Sequence, residues 1–405
     1  MDILGLIEDA RSATPSLANL STQEKNQLLL RMADSIEKNT KTILEANLRD
    51  LAASKLSKNV EDRLLLTEDR IRLMAQDVRK VATLPDPVGE EKKWTVPSGL
   101  TIHQNKVPFG VIGVIYENRP NVTIDIASLC LKSGNSCILR GSASALTTNR
   151  TLVKAIEPIL PKGAVCLVDS ADRSAVEIML KARGKIDLLI PRGGAELINH
   201  VVQNSRVPII ETGTGNCHVY VDETADLTMA EKIIINAKCQ RPSVCNAEEK
   251  LLVHKKIAAK FIPRIVKVLR ENKVEVRGCS ETKKIIPDVI LAKEEDWSRE
   301  YLDLIIAIRV VSDVDEAIVH INKYNSKHTE AIITKNKNNA DKFTKNVDAA
   351  VVMVNASTRF TDGGQFGFGA EVGISTQKLH SRGPMGLEAL TCTKYIVEGT
   401  GQIRN

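Results

Sequence analysis

Residues 109–140 read FGVIGVIYENRPNVTIDIASLCLKSGNSCILR, and this segment indicates the fold class of the chain most clearly. It opens with a continuously apolar segment, passes through a helical pattern near 122–133 and returns to a second apolar segment, NSCILR. Strands that lack polar alternation and are joined by a helix are typical of a parallel sheet covered on both faces. The stretch therefore predicts the first strand–helix–strand unit of an α/β domain.

The same alternation continues to residue 222. Helices are predicted near 144–158, 174–183 and 194–204, and the apolar segments between and after them are AVCLVD, KIDLLI, VPIIE and CHVYVD. About five such units are enough for a doubly wound nucleotide-binding domain. A second α/β series follows and consists of KLLVH, VEVRG, LIIAIRVV, EAIITK and AVVMVN. The expected fold is α/β, with two doubly wound parallel-sheet domains that face each other across a cleft.

The segments outside the two series have other patterns. The N-terminal part is predicted to be helical, because Ser21 and Glu24 have the spacing of a capping box and apolar residues recur three and four positions apart. The sequence also predicts helices over 42–57 and after Thr67, an exposed strand pair over 96–108 and a last strand over 393–401.

Composition excludes several functional classes. The 405 residues carry 56 Lys and Arg against 50 Asp and Glu, a formal charge of +6, and aromatic residues make up only 3%. A base-stacking surface needs aromatic side chains, so no nucleic-acid partner is expected. The acidic N-terminus is unlike a signal peptide and no apolar run approaches ~20 residues, so we expect no membrane association. Eight cysteines without a C-x-x-C pair predict no metal site, no disulfide framework and a cytoplasmic location.

The segment that is most informative about chemistry is NAKCQRPSVCNAEEKLLVH, residues 236–254. Pro242 disfavours helix at the residue before it, so the preceding helix is expected to end near Gln240. Cys245 then falls in a short polar turn before the next strand, where a thiol is accessible and a cation such as Arg241 favours the thiolate. Cys245 is therefore the predicted nucleophile, and the alternative is a buried structural cysteine.

A second informative place is the end of NSCILR. A dinucleotide-binding strand that prefers NAD often carries an acidic residue for the ribose diol, whereas an arginine suits a 2′-phosphate. Here Arg140 ends the strand, and Gly141 and Ser142 follow it. The pattern indicates NADPH; the alternative is a solvated arginine at a strand end.

Beyond these features, the chain closely resembles one family over residues 5–400. The resemblance rests on VPFGVIGVIYENRPNVTIDIASLCLKSGN, IDLLIPRGGAELI, VPIIETGTGNCHVYVD, NAKCQRPSVCNAEEKLLVH and QFGFGAEVGISTQKLHSRGPMGLEALT. The family is γ-glutamyl phosphate reductase, also called glutamate-5-semialdehyde dehydrogenase, a branch of the aldehyde dehydrogenase superfamily. The resemblance implies the aldehyde-dehydrogenase-like fold with a small oligomerisation flap.

The resemblance implies a set of NADPH contacts. The arginine-glycine after the second sheet strand matches a ribose contact of the superfamily, and PRGG matches the loop under the pyrophosphate. The glutamate in REYLDLI matches the one that holds the nicotinamide ribose, and the glutamate in ETGTGN falls where hydrolytic relatives place their general base. Gln365 stands where the family usually has glutamate. The implied cofactor residues are Arg140, Gly141, Ser142, Arg192, Gly193, Gly194, Glu211 and Glu300.

The resemblance also implies the catalytic groups. Cys245, in QRPSVCNA, matches the nucleophile of the family. Asn118 in ENRP resembles the oxyanion asparagine of the superfamily, but this branch more often has alanine or serine there, so Asn121 is a rival. Arg119 and Arg241 are the candidates for the anionic groups of the substrate, because a guanidinium grips carboxylate or phosphate in two places.

The implied activity is the NADPH-dependent reduction of L-glutamyl 5-phosphate to L-glutamate 5-semialdehyde, with release of phosphate, through a thioacyl intermediate on Cys245. The reaction belongs to proline biosynthesis, and the implied partners are the glutamate 5-kinase that supplies the substrate and further copies of the chain in a homodimer or dimer of dimers. The expected domains are an NADPH-binding domain (1–94 and 107–230), a catalytic domain (231–375) and an oligomerisation flap (95–106 and 385–405).

Two other classes of function are compatible with the sequence. A hydrolytic or CoA-acylating aldehyde dehydrogenase would share the fold and Cys245 but use water or CoA in place of phosphate. A non-enzymatic binding protein is the other class, and the intact QRPSVCNA segment speaks against it. Scarce aromatics and dispersed charge speak against RNA binding.

Overall fold

The computed structural model describes residues 2–54 and 58–404, which divide into two units. The first unit comprises Met1–Thr212, Gly367–Gly373 and Met385–Asn405, and the second comprises Gly213–Phe366 and Ile374–Pro384. None of the helices in these described ranges is both long and apolar enough to cross a lipid bilayer.

Helices form the N-terminal part of the first unit. They are α1 (Ile3–Ala18), α2 (Thr22–Lys38), α3 (Thr40–Ala53), α4 (Lys58–Leu64) and α5 (Glu68–Thr83). At the start of α2, the Ser21 hydroxyl accepts from the Glu24 N–H and the Glu24 carboxylate accepts from the Ser21 N–H, so the predicted capping box is confirmed. The Thr67 side chain caps α5.

The first unit is built around a parallel sheet. After α5 the chain of this unit continues through β1 (Glu91–Thr95), β2 (Thr101–Pro108), β3 (Val111–Tyr116), α6 (Pro120–Lys132), β4 (Ser136–Arg140), α7 (Leu146–Ile156), β5 (Val165–Leu167), α8 (Ser174–Lys181), β6 (Leu188–Arg192) and α9 (Ala195–Asn204). Strands β3 to β6 form a four-stranded parallel sheet in the order β5-β4-β3-β6. Ile112 and Val114 pack into one hydrophobic core and Val111 and Ile115 into another, so the sheet is covered on both faces.

The second unit contains a larger parallel sheet. Its elements up to residue 354 are β7 (Cys217–Val221), α10 (Leu227–Cys239), β8 (Glu248–His254), α11 (Lys255–Glu271), β9 (Glu275–Gly278), α12 (Ser280–Ile285), β10 (Ile290–Leu291), α13 (Glu294–Ser298), β11 (Ile305–Val311), α14 (Val314–Tyr324), β12 (Thr329–Ile333), α15 (Lys337–Asn346) and β13 (Val351–Val354). The chain then passes through the short strands β14 (Gly373–Ser375) and β15 (Gly383–Met385) and ends with β16 (Thr391–Glu398), which lies in the first unit. Strands β7 to β13 are parallel, in the order β10-β9-β11-β8-β7-β12-β13. Val219 and Leu251 face one core, and Tyr220 and Leu252 face the other.

Strands β1, β2 and β16 form a separate antiparallel sheet in the first unit. The predicted last strand is β16. The predicted strand pair over 96–108 is shifted, because Gly99, with φ of 83°, lies in the turn that joins β1 to β2. Trp94 and Tyr395 are exposed on this sheet, with ring centroids 6.4 Å apart.

Two predicted strand assignments are wrong. CHVYVD, assigned to the first sheet, is β7 and pairs with β8 and β12 in the second sheet. VPIIE makes a single bridge, between Ile209 and Leu189, since Pro208 has no N–H to donate to a ladder. A continuous apolar pattern predicts a buried strand but does not say which sheet it joins.

Candidate active site

The predicted nucleophile, Cys245, lies in the turn between α10 and β8. Helix α10 ends at Cys239 and β8 begins at Glu248, so the predicted end of the helix near Gln240 is confirmed. Cys245 is half-buried. A thiol in a short turn between two regular elements is accessible to a reactant and is held in place by the scaffold.

Residues at the start of β7 fix the backbone of Cys245. The Cys217 thiol donates a hydrogen bond to the Cys245 carbonyl oxygen at 3.2 Å. Burial raises the pKa of the Cys217 thiol well above its usual range, so this group keeps its proton and stays a donor. A Cβ built on Gly215 would lie 1.4 Å from the same carbonyl oxygen, so only glycine fits there.

Glu300 lies in the same neighbourhood. Its carboxylate accepts a hydrogen bond from the Gly215 N–H at 2.6 Å. The backbone around Glu300 is held from β8: Lys250 donates to the preceding carbonyl oxygen at 2.8 Å, and the Glu249 carboxylate accepts from the following N–H at 3.2 Å. The structure therefore brings Glu300 and Cys245 together through Gly215.

The side chains that hold the backbone around Glu300 are charged and buried. Lys238 and Glu249 form a fully buried ion pair, with Nζ and Oε2 3.3 Å apart. Burial raises the pKa of Glu249 to about 7, against the opposing effect of Lys238. Burial also lowers the pKa of Lys250 to about 7. Each of these charges depends on its neighbours, because an unpaired charge in a protein interior is strongly unfavourable.

Arg359 is a cation at this site that sequence reasoning missed. Its guanidinium donates from Nη1 to the Asn246 side chain and from Nε to Gln240 Oε1 at 3.0 Å. Arg359 and Asn246 are 113 residues apart in the sequence. The only signal was a charged residue within the polar segment NASTRFTDGG, and no spacing rule connects such a residue to a distant cysteine.

In the first unit, the carboxyl ends of β3 and β4 bring Asn118 and Ser142 together. The Ser142 hydroxyl donates to the Asn118 side-chain oxygen at 3.0 Å and accepts from the Asn118 backbone N–H at 3.2 Å. The Ser144 hydroxyl donates to the same oxygen. Asn118 has φ of 33°, in the left-handed region that asparagine adopts more readily than most residues. This edge of an open parallel sheet is where nucleotides bind.

Arg140 ends β4, as predicted. Its Nη2 lies 3.4 Å from the Ala171 carbonyl oxygen, while its buried Nε has no partner within the described part of the chain. Burial and the neighbouring Arg173 lower the pKa of the Arg140 guanidinium. A half-buried cation that keeps an unused donor beside a second arginine is suited to an anion.

The predicted pyrophosphate loop follows β6 and leads into α9. Gly194 is the N-cap of α9, and its N–H donates to the Glu117 carboxylate at 2.8 Å. A Cβ on Gly193 would lie 2.5 Å from that carboxylate, so a side chain at this position would have to displace the Glu117 side chain. The Arg192 guanidinium donates to carbonyl oxygens in the segment 367–373. In this structure the Glu117 carboxylate occupies the Gly194 N–H at the start of α9, and the Arg192 side chain is bound to main chain.

The other predicted residues are spread over both units. Asn121, exposed on α6, donates to the Asp125 carboxylate at 2.8 Å, and burial raises the pKa of Asp125 to about 7. The remaining ones are half-buried Arg119 at the N-cap of α6, half-buried Glu211 after α9, exposed Arg241 in the turn of Cys245, and exposed Gln365 in the glycine-rich segment.

Comparisons with known proteins agree with one another. The sequence profile of the aldehyde dehydrogenase family matches residues 1–302 and 286–396. The chain is 58% identical over 412 residues to a γ-glutamyl phosphate reductase of Carboxydothermus hydrogenoformans, covering 100% of this chain and 99% of that protein. It is 56% identical over 404 residues to one of Moorella thermoacetica, covering 98% and 97%. The crystal structure of γ-glutamyl phosphate reductase from Thermotoga maritima has a TM-score of 0.96 and 50% identity, with 100% of both chains covered.

Proposed function

The chain belongs to the aldehyde dehydrogenase family and, within it, to the γ-glutamyl phosphate reductases, and from this premise we propose that it reduces L-glutamyl 5-phosphate to L-glutamate 5-semialdehyde in proline biosynthesis. NADPH is the proposed hydride donor, and a thioacyl group on Cys245 is the proposed intermediate. The observation that carries the proposal is the half-buried thiol on a turn whose carbonyl oxygen is bound by Cys217 and covered by Gly215.

The proposed first step transfers the acyl group to the thiol. The thiol reacts as its thiolate: a bond forms between the Cys245 Sγ anion and the γ-carbonyl carbon, the bond from that carbon to the phosphate oxygen breaks, and phosphate leaves with the electron pair. Backbone N–H groups near Cys245 hold the oxyanion, each good donor contributing ~3–4 kcal/mol. For the side-chain donor we favour Asn118 over Asn121. The amide oxygen of Asn118 is bound by serine hydroxyls, which leaves its NH₂ group as the donor, whereas the NH₂ group of Asn121 already donates to Asp125.

The family implies a nicotinamide cofactor, and residues of the first unit suit one. Arg140 offers a half-buried cation with an unpartnered Nε among the residues described, and we infer that it binds the 2′-phosphate of NADPH. Gly141 and Ser142 follow it, Gly193 and Gly194 are the proposed pyrophosphate contacts, and Glu300 is the proposed ribose contact. When bound, the cofactor supplies the hydride that reduces the thioester to the semialdehyde.

The proposal extends to the organisation of the enzyme. The first unit is the proposed cofactor-binding part, and the second, with Cys245, is the proposed catalytic part. The β1–β2–β16 sheet is the proposed oligomerisation flap of a homodimer or dimer of dimers, since it exposes Trp94, Tyr395 and Val397. A cytoplasmic location keeps the Cys245 thiol reduced, and the proposed supplier of the substrate is glutamate 5-kinase.

Cys245→Ala tests the proposed mechanism, because without the thiol no thioacyl intermediate can form. We expect turnover to be abolished while an NADPH titration still shows binding. The matched control is Cys239→Ala, at the last residue of α10, which should leave turnover nearly unchanged. Semialdehyde formation by the purified variants gives the answer, and turnover of Cys245→Ala within about tenfold of wild type would contradict covalent catalysis.

A further inference from the structure

Arg359 connects the two ends of the turn that carries Cys245. Its Nε donates to Gln240 at the end of α10, at 3.0 Å, and its Nη1 donates to Asn246, the residue after the nucleophile. The Asn246 amide in turn donates to the Thr361 carbonyl oxygen at 2.8 Å, close to Arg359 in the sequence. The guanidinium is therefore bound to the chain on both sides of the thiol.

Both hydrogen-bond acceptors of the Arg359 guanidinium are neutral amide oxygens. Burial lowers the pKa of the guanidinium and the negative charge of the Cys245 thiolate raises it, so the two groups interact electrostatically. The carboxylate of Asp362 also acts on the positive charge of Arg359 electrostatically and raises its pKa. Arg241 adds a second positive charge nearby and lowers the pKa of Arg359. An arginine stays protonated under such conditions, and its charge acts more strongly in a half-buried site than in bulk water.

We propose that Arg359 selects an anionic reactant at Cys245 and binds the phosphate of the acyl phosphate as this group leaves. The inference rests on the proposed reductase function and assigns the residue that recognises its leaving group. As the bond between sulfur and the acyl carbon forms, the carbon–oxygen bond breaks and its electron pair departs with the phosphate. The planar guanidinium can donate to two phosphate oxygens at once, which favours this leaving group over a neutral one.

Two alkylating reagents test the charge at the thiol. Iodoacetate and iodoacetamide are nearly equal in size, but only iodoacetate is an anion. The rate of alkylation of Cys245 by iodoacetate is divided by the rate with iodoacetamide, both followed by peptide mass spectrometry. This ratio is measured in the wild type, Arg359→Met and Arg359→Lys. We expect the ratio to fall about tenfold in Arg359→Met, the order for one charge-assisted hydrogen bond, and to stay near the wild-type value in Arg359→Lys. The matched control is Arg264→Met on α11, where the arginine pairs with Glu231.

A residue that only clamped the turn would affect both reagents equally, so an unchanged ratio in Arg359→Met would overturn the proposal. A second measurement needs no variant: inorganic phosphate should slow alkylation of wild-type Cys245 by iodoacetamide more than potassium chloride of the same ionic strength. Equal slowing by the two salts would also overturn it. Neither measurement requires turnover, so a failure of the proposed reductase function would be seen separately.

Discussion

At the scale of single residues, Arg140 is the side chain expected to decide the cofactor preference. It ends β4 and holds a buried Nε without a partner in the described ranges. Arg140→Asp should reduce the preference for NADPH over NADH by ~1–3 kcal/mol, because a charged hydrogen bond to the 2′-phosphate is lost and a repulsive carboxylate is introduced. The measurement is kcat/KM with each cofactor, with Arg183→Asp, at an exposed arginine of the same unit, as the control. An unchanged ratio in Arg140→Asp would contradict a contact between this arginine and the 2′-phosphate.

Residues whose position follows from local rules could be predicted from the sequence. Pro242 places the helix end, and the helix end places Cys245 in a turn. Arg140 follows an apolar run and therefore ends a strand. Arg359 and Cys217 obey no such rule, because their relation to Cys245 arises only when distant parts of the second unit pack together.

At the scale of elements, the contact between α10 and β8 depends on the buried pair of Lys238 and Glu249. Lys238→Met removes one partner and leaves the other carboxylate buried, which should lower the free energy of unfolding by about 3–5 kcal/mol. Lys256→Met is the control, because it breaks the exposed pair with Glu223 and should cost less than about 1 kcal/mol. Urea unfolding of the three proteins provides the comparison, and equal losses in the two variants would contradict the assignment.

Whether a segment forms a helix or a strand could be predicted from the sequence more readily than which strands pair with each other. The helices of the N-terminal part carry caps at Ser21 and Thr67 that can be recognised locally. The apolar strand β7 reads like those of the first sheet, yet it pairs with β8 and β12. Pairing of this kind is decided by tertiary packing of equally apolar faces, which one sequence does not display.

At the scale of the whole molecule, two parallel sheets of four and seven strands and one antiparallel sheet of three form the framework. The number of large sheets follows from the two α/β series in the sequence, whereas the change of unit after Thr212 depends on where β7 pairs. The proposed nucleophile, Cys245, belongs to the second unit and the end of β4 to the first. The proposed acyl transfer and the proposed cofactor binding are thus assigned to units of different size.

The reductase reaction makes one demand that a hydrolytic aldehyde dehydrogenase does not. A reductase forms its thioester from the acyl phosphate with release of phosphate. By microscopic reversibility the oxidation of glutamate semialdehyde with NADP⁺ must release the thioester to phosphate and not to water, so it should require inorganic phosphate. The most direct measurement follows NADPH formation spectrophotometrically, with and without phosphate, in a non-nucleophilic buffer. We predict sustained NADPH formation with phosphate and no more than a small burst without it. Sustained formation at the same rate without phosphate would contradict the reductase function and favour a hydrolytic enzyme.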